Sequence, residues 1–196
     1  MNRKPLSILA GAVILASAAD PALAHPGHAG GDSLMAGLAH PFSGLDHLLA
    51  MTAVGLWAGL SFPRRWWALP ASFVGFMLAG FVLGQAGGPL PLIEAAIAVS
   101  LVGLGLAVWL QLKPPAALGA AVVALFALVH GYAHGQELPA GGDGLRFALG
   151  FGLSTAVLHG LGLALSWAAL KFEAGPLARL GGLGVAAIGA AMLLIT

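Results

Sequence analysis

Six apolar stretches follow one another along this chain with only short breaks between them. Each is near the roughly 20 residues that an α-helix needs to cross a bilayer. They cover residues 34 or 41 to 60, 66–85, 90–112, 116–134, 145–170 and 177–195. The breaks carry turn or charge signals: Pro63-Arg64-Arg65, Gly87-Gly88-Pro89, Lys113-Pro114-Pro115, Pro139 to Gly144, and Glu173 to Pro176. Charged residues make up 8% of the 196, where a soluble domain carries about 25%. So few charges cannot cover a water-facing surface, and lipid must be the solvent for most of it. These features predict an all-α membrane protein, a bundle of six transmembrane helices with no separate soluble domain.

The first residues read as an address. Arg3 and Lys4 form a positive start, residues 6–19 an apolar core too short to span comfortably, and Ala22-Leu23-Ala24 a small-x-small cleavage signal. This is the pattern of a cleavable secretory signal peptide over residues 1–24, with an uncleaved first helix as the alternative. Residues 25–196 would then form a single six-helix domain in a bacterial inner membrane. With the mature N-terminus outside, the cytoplasmic loops hold Arg64, Arg65, Lys113, Lys171 and Arg179, and the outer loops only Arg146. That split obeys the positive-inside rule and places both mature termini in the periplasm. Trp66, Trp67, Trp109 and Trp167 fall near span ends, as interfacial anchors do. The two halves of three spans show no convincing sequence match.

The net charge of +1 argues against a nucleic-acid partner. The absence of cysteine excludes disulfides, thiolate metal sites and cysteine nucleophiles. Any metal must be held by imidazole, carboxylate, backbone or water, which suits nickel, cobalt, zinc or copper(II).

Ionisable groups inside a bilayer are costly and mark function. Here they cluster. His40, Asp46 and His47 open the first span, in His-Pro-Phe-Ser-Gly-Leu-Asp-His. On a straight helix His40 and His47 lie two turns apart, about 10 Å of rise, too far for one ion with ligand bonds near 2 Å. Either Pro41 and Gly44 break the helix and fold His40 back, or the two histidines serve different points on a path. Asp46 could be a ligand, or an acceptor that orients an imidazole. His130 and His134 end the fourth span at i and i+4, and Glu137 continues their face. His159 lies deep in the fifth span, one turn after Thr155. Glu94 stands near the outer end of the third, as a site residue or an interfacial carboxylate. His25 and His28 would follow the cleavage point, either capturing metal or belonging to a polar tail.

The run His40-Pro-Phe-Ser-Gly-Leu-Asp46-His47, with Leu-Leu-Ala-Met51 after it, resembles the HupE/UreJ family of membrane proteins. His130-Gly-Tyr-Ala-His134-Gly-Gln-Glu137, Phe151-Gly-Leu-Ser-Thr155-Ala-Val-Leu-His159 and the His25-Pro-Gly-His28 start are similar to that family's other motifs. The resemblance implies uptake of nickel, or cobalt in some members.

The sequence therefore predicts a secondary permease rather than an enzyme. A divalent cation, nickel first and cobalt next, would be its substrate, with zinc or copper also compatible, and it would carry no prosthetic group. The chain has no phosphate-binding Gly-x-x-x-x-Gly-Lys-Ser/Thr motif, so it does not itself hydrolyse nucleotide. The partners expected are the lipid bilayer, the metal ion and a cytoplasmic metallochaperone, and an oligomer is compatible. The alternatives are a membrane metalloenzyme using the same histidines, or a non-transporting metal-delivery protein.

Overall fold

The structure, a computed structural model, describes residues 33–138 and 141–196. The expected signal peptide, His25 and His28 lie outside the described residues. Among the described residues there are seven helices and no strand: α1 (Ser33–Ser43), α2 (Leu45–Ser61), α3 (Ala68–Ala86), α4 (Ile93–Trp109), α5 (Ala116–Glu137), α6 (Gly144–Lys171) and α7 (Gly175–Leu193). Four of them, α3, α5, α6 and α7, are long and apolar enough to cross a membrane; α2 and α4 are apolar helices of 17 residues.

Helix ends follow local chemistry. Pro115 stands at the N-cap of α5 and Pro176 in the first turn of α7, where the missing N–H costs no helical bond. Asp143 caps α6, its carboxylate accepting from the Arg146 amide at 3.1 Å.

The distribution of side chains is that of a protein dissolved in lipid. Val82, Leu125, Leu153 and Leu180 are each about 60% exposed, while His47, His130, His134, His159, Ser100, Thr155 and Ser166 are buried. In water this arrangement would be costly on both counts; in a bilayer the outer face is solvated and the polar groups face the bundle interior. The chain is a multi-pass α-helical membrane protein. Trp66 and Trp167 meet edge to face, 6.2 Å between ring centres, where α3 begins and α6 ends, as expected of an interfacial belt. Trp57 is instead buried, and its indole N–H donates to the Leu112 carbonyl at 2.8 Å.

The expected first span is two helices. The chain breaks at Gly44, which is extended (φ −110°, ψ 127°). Pro41, the stronger breaking signal, lies inside α1. Helix α6, 28 residues and about 42 Å long, packs against both pieces.

The main helix pairs are α3 with α5, α4 with α7, and α1 and α2 with α6. Glycine sets their separation. A Cβ on Gly131 of α5 would land on the Met77 carbonyl of α3, and one on Gly55 of α2 would land on the His159 carbonyl of α6. Lipid gives helices no hydrophobic reason to associate, so such backbone contact supplies the packing. Gly131→Ala is expected to destabilise the detergent-solubilised protein by about 1–3 kcal/mol through overpacking. Gly160→Ala, where a Cβ meets open space, should be neutral or stabilising by up to about 1 kcal/mol. Thermal unfolding of the two variants side by side checks the contrast.

Candidate metal site

The break at Gly44 builds the site. Gly37 of α1 sits against Phe147–Phe151 of α6, and Gly55 of α2 against His159–Leu163. Between those points α1–α2 spends eighteen residues (37 to 55) while α6 spends twelve (147 to 159). The six extra residues, roughly 9 Å of helical rise, are taken up at the break. His40 is thereby folded back, and its ring centre lies 5.9 Å from that of His47. Of the two arrangements open from sequence, the fold adopts the first. Ser154 of α6 fixes α1 in place, its hydroxyl donating to the Leu38 carbonyl at 2.6 Å.

Three histidines from α1, α2 and α5 meet. His40 Nε2 is 2.9 Å from His134 Nδ1, and His47 Nε2 contacts His134 Nε2. Glu137 Oε2 is 3.0 Å from His134 Nδ1 and 3.6 Å from His40 Nε2. His130 joins from below, its ring centre 5.5 Å from His47. His40, His134 and Glu137 offer one ligand atom apiece, all within 4.8 Å of one another, close to the spacing of ligands about 2 Å from a shared ion. Phe147 and Phe151 wall the cluster, at 5.6 and 5.7 Å from the His40 ring, with Phe151 4.8 Å from His134. His40 and Glu137 remain partly exposed, at 27% and 55% of their side chains, and connect the cluster to the surface.

Proton positions follow from the acceptors. Asp46 Oδ1 is 2.8 Å from His47 Nδ1. A carboxylate accepts, so His47 carries its proton on Nδ1 and turns a lone pair on Nε2 toward His134. Asp46 therefore orients His47, the arrangement that fixes a metal-binding imidazole. His130 Nδ1 donates to the Phe126 carbonyl at 2.9 Å; its Nε2 is a bare lone pair, fully buried and without a hydrogen-bond partner. His134 faces the His47 lone pair at Nε2, and both His40 Nε2 and Glu137 at Nδ1. With its one proton on Nε2 it donates to His47, and its Nδ1 accepts from His40. Imidazole nitrogens converging beside a carboxylate form a donor set that a divalent cation can use.

His159 is buried deeper, with neither ring nitrogen hydrogen-bonded. The Phe73 ring touches both levels, 5.8 Å from His130 and 5.1 Å from His159. Thr155 donates to Met77 Sδ at 3.6 Å, one turn toward the cluster from His159 and Phe73. Glu94 is exposed in the first turn of α4, and no hydrogen bond or ion pair among the described residues joins it to the histidines. Sequence reasoning did not single out Phe73, Phe147 or Met77, and met Phe151 only as the first residue of a motif, because an apolar residue in an apolar span carries no signal. Gly44 was noted as a breaker; its second role is steric, since a Cβ there would meet Asp46 Oδ1 at 2.6 Å and His47 Nδ1 at 2.7 Å.

Residues 13–192 match the family described as HupE / UreJ protein. The chain belongs to the HupE / UreJ family. Protein HupE of Rhizobium leguminosarum bv. viciae is 46% identical over 183 residues, which cover 91% of this chain and 94% of that protein. No solved structure matches the chain.

The geometry makes two substitutions informative. Gly44→Ala would push apart the Asp46–His47 pair, and Asp46→Asn would replace its charge while keeping its shape. Each is expected to weaken nickel(II) binding to the purified protein by about 10–100-fold, with helix content by circular dichroism unchanged. Titration calorimetry measures the affinity; unchanged binding in Asp46→Asn would mean that the carboxylate does not tune His47.

Proposed function

We propose that the chain is a permease for a divalent transition-metal cation, nickel foremost and cobalt next, with six spans in a bacterial inner membrane. The reading makes α2 and α4 spans alongside the four longer helices; 17 residues rise about 25 Å, at the short end of what crosses a bilayer. The observation that carries it is the convergence of imidazoles from three helices, with His130 Nε2 left bare beside them, inside a bundle whose outer face is apolar. The family membership supports it.

The cation enters at the outer mouth, where Glu137 and His40 reach the surface, and is taken by His40, His47 and His134. His130 Nε2 receives it next, and His159 marks the way inward past Phe73. Asp46 keeps His47 presented throughout. Each imidazole substitutes for a water of the ion's hydration shell, and Glu137 offsets part of its charge. The membrane potential draws the cation inward with about 2.3 kcal/mol per charge per 100 mV. Glu94, His25 and His28 remain candidates for capture at the outer surface.

The test is uptake into proteoliposomes that contain the purified protein, with nickel, cobalt, zinc and copper compared. The expected outcome is saturable nickel or cobalt influx that His47→Ala and His130→Ala each reduce by at least about tenfold. Metal bound without flux would instead indicate delivery or catalysis. Only neutral imidazole ligates, so protonation competes with the metal. Influx is therefore expected to be full near pH 8 and to fall as pH drops below about 6. Influx that rises as the pH falls from 8 to 5 would rule out imidazole ligation as the limiting contact.

A further inference from the structure

The two halves of the bundle repeat one another in their backbone contacts. A Cβ on Gly55 of α2 would meet the carbonyl of His159 and the amide of Leu163 on α6; a Cβ on Gly131 of α5 would meet the carbonyl of Met77 and the amide of Phe81 on α3. On the facing helices, Gly162 packs on the carbonyl of Thr52, and Gly80 on that of Leu128. These four contacts share one register. It pairs Gly55 with Gly131, Thr52 with Leu128, His159 with Met77 and Gly162 with Gly80. Two side-chain contacts outside the glycines obey it too: Phe73 with His159, and its counterpart Thr155 with Met77. The third helix pair maps onto itself, since Gly105 packs on the Gly182 carbonyl and the Ala186 amide, and Gly189 on the Ala98 carbonyl and the Val102 amide. Helices α2–α4 and α5–α7 are therefore related by one register of contacts between the halves, although α2 packs on α4 within the first half and α5 does not pack comparably on α7 within the second. Three spans is an odd number, so the copies run in opposite senses through the membrane, the arrangement known as an inverted repeat. Helix α1 has no counterpart.

The register also locates the centre of the bundle. The contact of Phe73 with His159 and that of Thr155 with Met77 exchange under it, so the pseudo-two-fold axis passes between them. His159, with both nitrogens unpartnered, sits at that axis. The histidine cluster lies wholly on one side. On the other side, its counterparts are Ala58 for His134, Val123 for His47, Val54 for His130 and Ser61 for Glu137. Ala58, Val123 and Val54 are fully buried, whereas the outer mouth reaches the surface through His40 and Glu137.

Resting on the permease reading, we infer that the chain has a second, inner passage, closed in this structure and lined by Val54, Ala58, Ser61 and Val123. It opens when the two repeats exchange conformations, and the outer cluster closes as it does. The passage holds no imidazole or carboxylate among these four positions. A cation that crosses from His159 into it meets few ligands and is released. The fold would thus be symmetric in backbone and asymmetric in chemistry, and the asymmetry sets uptake as its direction.

The chain's lack of cysteine makes the test clean. Single Ala58→Cys and Val123→Cys variants of the full chain are exposed to a membrane-impermeant maleimide in spheroplasts and in inside-out vesicles. Val123→Cys removes volume, so it keeps the test available if Ala58→Cys does not fold. Both cysteines are expected to react in inside-out vesicles only, at a rate that nickel(II) changes on the order of tenfold. Wild-type nickel influx is measured in parallel. Influx with neither cysteine reactive from the inner side would overturn the inner passage and leave the permease standing. Inner labelling that nickel modulates, without any influx, would overturn the permease and support the two-state repeat.

Discussion

Helices in lipid have no water to escape, and this bundle is held by contact between backbones. Where Gly55 meets His159 and Gly131 meets Met77, one helix lies against the peptide groups of the next with no side chain between them. The close approach has a geometric result beyond cohesion. It joins α2 closely to α6 and α5 closely to α3, and in the bundle these pairs form, His47 of α2 and His134 of α5 touch through their side chains. Larger residues at these positions would push those pairs apart, so the histidine cluster depends on the packing.

The second constraint is the break between α1 and α2. A continuous helix would spread His40 and His47 along the membrane normal. The extended residue at Gly44 shortens the segment and stacks the two histidines against His134 near the C-terminal end of α5. The missing side chain there also makes room for the carboxylate and imidazole of Asp46 and His47, which crowd the turn. One residue accordingly sets both the position of His40 and the orientation of His47.

Much of this was legible beforehand. The helices from α3 onward announced themselves through Pro, Gly and charge at their ends, and the i, i+4 spacing of His130 and His134 placed them on one face. The break was harder to place. Proline is the stronger signal, yet Pro41 stays helical, and membrane helices tolerate proline where neighbours re-satisfy the freed backbone. Phe73 gave no sign of touching both His130 and His159, because apolar residues in apolar spans differ only by their neighbours. The internal repeat was hidden for a related reason. What the halves share is the placement of glycines and of backbone contacts, while the residues that carry chemistry differ between them: His134 stands where the other half has Ala58. Comparing side chains finds nothing where only the backbone register is common.

The bond from His130 Nδ1 to the Phe126 carbonyl bears on stoichiometry. A histidine that must shed a proton to accept a metal couples each cation to a proton moving the other way. On the permease reading, His130 keeps its proton on Nδ1 and offers Nε2 as a lone pair, so a cation that bound there would displace no proton. An opposing proton flow would then have to arise elsewhere along the route.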